Sequence, residues 1–345
     1  MRVGSGSEPS DRPSGEPPRG SPGVLPHAVS PPLGLEGVRG GTLALEGVPR
    51  PTRAARPSDA LVGYAFIAPA AIIIVGLVGY PFVLALWFSV SDAWIGEFGN
   101  FVGLANYSRL LQNSIFQQTL QNSIVFTASS VALKTVLGLT LALLLYRINR
   151  FRRVIRGAVL MPFVIPTALS TLGWWWLFQP TYGVLNWTLK RLGVISTDIP
   201  WLYDPYLAMA SVIIVNTWRG LPFFAITILA GLMAIPREYY EAAETDGANP
   251  WARFVHITFP LIKPVLGIVV LFSTILTLAD FNIVFVLTKG GPMNMTHLFS
   301  TLSFQLGTAG GKISDGAAVS LFLFPVLVVV VTLQLRLIRR QTVYE

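Results

Sequence analysis

The sequence contains no cysteine, which excludes disulfides, thiol nucleophiles and Cys-ligated metals. Charge is scarce as well. Only 12% of the 345 residues are Asp, Glu, Lys or Arg and 52% are hydrophobic, whereas a soluble domain carries about 25% charged residues. Histidine is limited to His27, His256 and His297, which are too far apart to form a ligand pair, so no metal site is expected. Residues 1–57 hold no aromatic side chain, and 21 of those 57 positions are Pro or Gly. Such a composition builds no core, and this stretch is expected to be a disordered tail. It has no apolar run before Leu61 to act as a signal peptide. Catalytic signatures are missing too: there is no HExxH and no GxSxG, and Gly311-Lys312 is followed by Ile313, so no phosphate-binding loop forms. No enzyme is expected on this chain.

Apolar sequence is what the chain has in length. From Leu61 to Ser91 no charged residue occurs, and a membrane span needs about 20 apolar residues at about 1.5 Å each. Five further runs qualify: Thr119–Tyr146, Gly157–Phe178, Tyr206–Met233, Pro264–Leu287 and Gly316–Leu335. Backbone groups in lipid must be satisfied within the segment, so the expected class is all-α, a polytopic membrane protein of about six helices.

The net charge of +8 raises the question of nucleic acid, and position answers it. With the amino terminus inside, one set of flanks holds Arg53, Arg56, Arg147, Arg150, Arg152, Arg153, Arg156, Arg237, Arg253, Lys263, Arg336, Arg339 and Arg340. The opposite loops hold Arg109, Lys190, Arg191, Lys289 and Lys312. A bias of thirteen to five favours both termini in the cytoplasm and accounts for the basic charge without nucleic acid.

The loop 235–264 is polar and unusually acidic. Glu238, Glu241 and Glu244 recur every three residues and lie along one side of a short helix, with Ala242 and Ala243 allowing close approach. Gly247 suits a helix C-cap, and Asn249-Pro250 reads as an N-cap with Pro at the first helical position. Helix, sharp turn, helix is therefore expected, either as a docking element for a basic partner or as a solvated loop.

Here the spacing resembles a family signature. Glu241-Ala242-Ala243, three residues, Gly247, nine residues, Ile257, one residue and Phe259-Pro260 is similar to the EAA motif of ABC importer permeases, with Phe259 in place of the usual Leu. Trp218-Arg219-Gly220-Leu221-Pro222-Phe223, Asp246-Gly247-Ala248 and Leu287-Thr288-Lys289-Gly290-Gly291-Pro292 resemble the carbohydrate-uptake, maltose-type branch. The resemblance covers about residues 60–338 and implies a type I importer fold, with 58–345 as the permease domain. It implies a second permease subunit, usually a different chain, two cytoplasmic ATPase subunits that hold ATP and Mg, and an extracytoplasmic solute-binding protein. No cofactor is implied on this chain. The implied setting is a bacterial or archaeal cytoplasmic membrane. The implied coupling residues are Glu238, Glu241, Ala242, Ala243, Asp246, Gly247, Ile257 and Pro260. An ion-coupled carrier or channel, or a permease for a polyol or glycerol phosphate, stands as the alternative.

Ionisable groups at membrane depth are costly and mark functional or structural partners. Three occur, Lys134, Arg219 and Asp280. Arg219 with Gly220 and Pro222 predicts a kinked or locally unwound helix. Asn216, Trp218, Arg219, Asp280 and Asn282 are the candidate pathway residues, with Arg219 and Asp280 either lining it, pairing across it or forming a structural ion pair. Lys134 is expected at a subunit interface, without a role. Trp174-Trp175-Trp176 reads either as a platform for sugar rings or as an interfacial belt.

Overall fold

A computed structural model describes residues 57–148 and 150–342. The expected tail, apart from Pro57, lies outside the described residues, as do Arg53 and Arg56. The chain divides into two compact units, Met1–Tyr64 and Ala65–Glu345. The described part of the first is the opening of a helix; the second holds every other element below.

The helices are α1 (Pro57–Ile74), α2 (Tyr80–Ser89), α3 (Ala105–Gln112), α4 (Ser114–Arg147), α5 (Arg152–Val164), α6 (Thr167–Leu177), α7 (Val184–Arg191), α8 (Pro205–Ala234), α9 (Arg237–Thr245), α10 (Pro250–Arg253), α11 (Phe259–Leu278), α12 (Asn282–Leu287), α13 (Phe299–Phe304) and α14 (Ile313–Thr342). Among the described residues there is no strand; one isolated bridge joins Ser91 to Phe101. Five stretches are long and apolar enough to cross a membrane: Leu61–Ser89, Ser114–Arg147, Pro205–Ala234, Pro250–Leu278 and Ile313–Arg336. A sixth forms if α5 and α6, bent by 90°, are one span.

Three expectations are corrected. The run 157–178 is not one straight helix: Pro166 has no N–H to continue the ladder, and the chain is extended at Ile165. The fifth span is displaced. Hydropathy places it at 264–287 because Arg253 and Lys263 interrupt the apolar run, yet helical hydrogen bonding continues through both from Pro250 and stops at Leu278. Finally, α8 is unbroken from Pro205 to Ala234. Pro222 removes one backbone donor from its ladder, but its neighbours hold the helix and no unwinding occurs.

The centre of the molecule is the pair α4 and α8. One stripe of α4 is buried at Ser123, Thr127, Ser130, Lys134, Gly138, Ala142 and Leu145, the three- and four-residue spacing of a helix face. Most of these side chains are small. In lipid, helix association relies on close packing rather than on expelling water, so small residues at the contact bring backbones together. Phe224, Ile228 and Leu232 of α8 meet Ala142 and Leu145 of α4 and Ile262 and Val269 of the fifth span in one buried cluster. A second cluster joins Phe126 of α4 and Val212 and Val215 of α8 to Ile283, Val284 and Leu287 of α12.

Gly138 sets the α4–α8 separation. A Cβ there would lie 2.4 Å from Cβ of Phe224, a fully buried residue. Because that atom moves only with its backbone, Gly138→Ala is expected to lower stability by about 1–3 kcal/mol. A denaturant titration of the purified chain in detergent reads this. An unchanged midpoint would mean that α8 yields without cost.

Candidate functional site

Two sites stand at the ends of one helix. The first is the turn between α9 and α10. α9 exposes Glu238 and Glu241, and Ala243 is half-buried. Gly247 is in the left-handed region at φ 78°. Its N–H bonds the Glu244 carbonyl at 3.0 Å, and Ala248 N–H bonds the Ala243 carbonyl at 2.8 Å. These two bonds make a Schellman stop, in which the left-handed residue falls four positions after the residue whose carbonyl is capped. Ala243 and Gly247 have that spacing, so the motif's three-residue gap follows from backbone geometry. Asp246 is the exposed C-cap of α9. Three residues later Asn249 Oδ1 accepts the Ala252 N–H at 2.8 Å, with Pro250 at the first position of α10.

Glu244 is held by an ion pair to Arg253, and Tyr240 Oη meets Thr258 Oγ1 at 3.0 Å. Glu241 forms no ion pair among the described residues and borders a cavity with Tyr146, Arg237, Tyr240 and Arg253. The two helices are therefore locked to each other while Glu238 and Glu241 stay open to a partner. Ile257, half-buried, lies in a π-helical segment, Phe254–Thr258, that leads into α11, where Pro260 is exposed.

The second site is at the far end of that span. α11 stops at Leu278, and Asp280 Oδ1 accepts the Ile283 N–H at 3.0 Å, capping α12. Asp280 Oδ2 accepts from Asn216 Nδ2 at 3.3 Å, and Asn216 Oδ1 accepts from Lys134 Nζ at 2.8 Å. Lys134 also donates to Thr277 Oγ1 at 2.7 Å. One buried ammonium thus ties α4, α8 and α11 together. Lys134 is 3% exposed, so its expected place at a subunit interface is wrong. Its aliphatic stem lies against Gly220, where a Cβ would be 2.6 Å from Lys134 Cδ. Lys134 is the residue that sequence reading undervalued. The signal was present: a lone Lys on the buried, small-residue face of a span, four positions before a glycine.

Arg219 is half-buried and forms no ion pair among the described residues, and its Nε is buried without a partner. Of the alternatives for Arg219 and Asp280, a direct ion pair is absent among the described residues, and Asn216 is the group that engages Asp280. Asn282 is exposed and Trp218 half-buried. Trp174 packs edge-on to Trp218 with centroids 5.5 Å apart. The three tryptophans divide by helix rotation: Trp174 and Trp175 pack against the second cluster, and Trp176 is 57% exposed. Trp175 also lines a cavity of about 580 Å³ with Leu202, Tyr203, Lys289 and Pro292.

Residues 134–343 match the family described as the binding-protein-dependent transport system inner membrane component. The chain is 37% identical over 267 residues to a trehalose/maltose transport system permease protein of Thermococcus litoralis, a match covering 77% of this chain and 90% of that protein. The chain belongs to this family of ABC importer permeases. The permease is also 34% identical to a sulfoquinovosyl glycerol transport system permease protein of Agrobacterium fabrum, covering 85% of this chain and 95% of that one. A trehalose transport system permease protein of Mycobacterium tuberculosis is 30% identical, with 82% and 90% covered. Among solved structures, a bacterial ABC transporter involved in the import of the acidic polysaccharide alginate matches with a TM-score of 0.72 at 22% identity, covering 82% of this chain and 96% of that one. That likeness supports the all-α importer fold. The permease is a multi-pass membrane protein.

Proposed function

We propose that this permease forms half of the membrane pathway of an importer for a sugar or short glycoside. It works beside a second permease subunit of different sequence, two cytoplasmic ATPase subunits that hold ATP and Mg, and an extracytoplasmic binding protein. Both termini face the cytoplasm of a bacterial or archaeal cell. The chain has no ATPase site of its own and carries no cofactor. Relatives named for trehalose, maltose and sulfoquinovosyl glycerol support the solute class. An ion-coupled carrier or channel has no use for the α9–α10 turn.

The carrying observation is continuity. The helix that begins at Pro250, inside the cytoplasmic turn, runs without a break to Leu278, two residues before Asp280. Its 29 residues span about 43 Å. Glu241 pairs with a basic group of an ATPase subunit, and Gly247 provides the turn. Displacement of the turn by ATPase closure is carried by this rigid element to the polar break. There Asn282, Trp218 and Arg219 face the solute, while Asn216 and Asp280 are held in place by Lys134. Direction requires the solute to bind unequally in the two states.

The test is reconstitution with the partner permease and ATPase, measuring ATP hydrolysis stimulated by binding protein loaded with individual sugars. Stimulation by one sugar is expected. If the complex assembles and no sugar stimulates it, the solute class is wrong; if no ATPase associates, the assembly reading is wrong. Asp280→Asn keeps the shape and the cap of α12 but removes the charge. It is expected to leave the chain folded and to lower uptake about tenfold, equivalent to about 1.4 kcal/mol. Unchanged uptake would reduce Asp280 to a helix cap.

A further inference from the structure

The turn joining α4 to α5 concentrates positive charge beyond anything the coupling loop uses. Arg147, Arg150, Arg152, Arg153 and Arg156 fall within ten residues, and no Asp or Glu occurs anywhere from Phe98 to Thr197. Arg147, Arg150, Arg152 and Arg153 are exposed, and none of the five forms an ion pair among the described residues. Arg156 differs: it is half-buried and reaches Met233 of α8. Two large apolar side chains adjoin the exposed arginines and are themselves exposed, Phe151 at 71% and Val154 at 70%. Phe151 begins α5 in the left-handed region at φ 58°, and the Arg150 guanidinium lies 6.0 Å from its ring centroid.

Position decides what such a surface meets. Arg147 lines a cavity with Tyr240, Trp251 and Arg253, which puts this turn at the same end of the molecule as the coupling loop. It also directly follows the span Ser114–Arg147, so it lies where the lipid headgroups are. Basic clusters just beyond a span attract anionic lipid, and an interleaved aromatic ring adds apolar burial at the headgroup boundary. A groove in a soluble protein matches the charge but gives no reason for bare Phe151 and Val154 beside it.

We propose that Arg150, Arg152 and Arg153, with Phe151 and Val154 beside them, form a docking surface for anionic phospholipid headgroups of the cytoplasmic leaflet. The site holds lipid against the α4–α5 turn, next to the coupling loop. It depends on membrane placement alone and not on which solute is carried.

The test uses the full chain in phosphatidylcholine nanodiscs titrated with headgroup-labelled phosphatidylglycerol. The wild type is expected to bind the labelled lipid in a salt-sensitive way. The triple variant Arg150→Gln, Arg152→Gln, Arg153→Gln is expected to bind it roughly 100-fold more weakly. A control, Lys190→Gln with Arg191→Gln at the opposite end, is expected to bind as the wild type does. Equal binding by the triple variant and the wild type overturns the proposal. So does unchanged lipid binding combined with loss of ATPase association, which would identify an acidic protein surface as the occupant. Should the triple variant fail to insert, the wild type in about 1 M salt decides, because screening of exposed charges must release the lipid. Binding that persists there overturns the proposal equally.

Discussion

Gly247→Val is expected to abolish sugar-stimulated ATP hydrolysis in the assembled transporter while the chain still inserts and folds. The reason is local. Gly247 stands at φ 78°, where a β-branched side chain is strained by about 1–3 kcal/mol. No atom lies within 4 Å of a Cβ at that position, so the penalty comes from the backbone and not from crowding. The chain relieves it by leaving the left-handed region, which breaks the bonds to the Glu244 and Ala243 carbonyls and releases α9 from its angle to α10. Because Glu241 has no ion partner among the described residues, its direction follows that turn. The measurement is ATPase activity with and without loaded binding protein, together with a detergent melt. Loss of stimulation with a nearly unchanged melting temperature is the expected pair. Retained stimulation would mean that the ATPase, rather than the Schellman stop, fixes the loop.

Lys134→Met is expected to be the most damaging single substitution in the spans. Methionine fills the channel beside Gly220, but Asn216 Oδ1 and Thr277 Oγ1 lose their donor. A buried acceptor left unpaired costs about 1–3 kcal/mol, and removing one member of a buried charged network costs about 3–5 kcal/mol in water-soluble proteins. Individual hydrogen bonds between spans are weaker, about 0.6 kcal/mol on average, so a total near 2–4 kcal/mol is expected. Asn216 is then free to turn, Asp280 loses its orienting contact, and uptake falls below about a tenth. Lys134→Arg does not restore it, because the guanidinium is too large for the space against Gly220. Unfolding in detergent and uptake in vesicles check both parts. A Met variant as stable as the wild type would show that burying the ammonium costs as much as its bonds return.

These two residues differ in how far the sequence reveals them. Gly247, Asn249 and Pro250 act on backbone groups a few positions away, and their caps could be read directly from residue type and spacing. Lys134 acts on Asn216 and Thr277, 82 and 143 positions away. Nothing in its neighbourhood names those partners; only its place on the buried face of α4 hints at them. For Arg219, opposite charge offered Asp280 as a partner, but Asn216 stands on the same helix and takes the carboxylate.

The sequence by itself determined the membrane setting, the all-α class, the helix-turn-helix of the α9–α10 loop and the charge asymmetry between the two sets of span flanks. Each follows from composition or from contacts within about one helical turn, where the physics is local. The tertiary structure decided where the fifth span begins and ends, that α8 runs unbroken through Pro222, that α5 and α6 meet at 90°, and that Lys134 organises the polar break. Hydropathy sums the transfer cost of single residues and has no term for a partner. Whether a charged residue interrupts a helix, or a carboxylate starts the next one, depends on which side chains packing brings within hydrogen-bond reach.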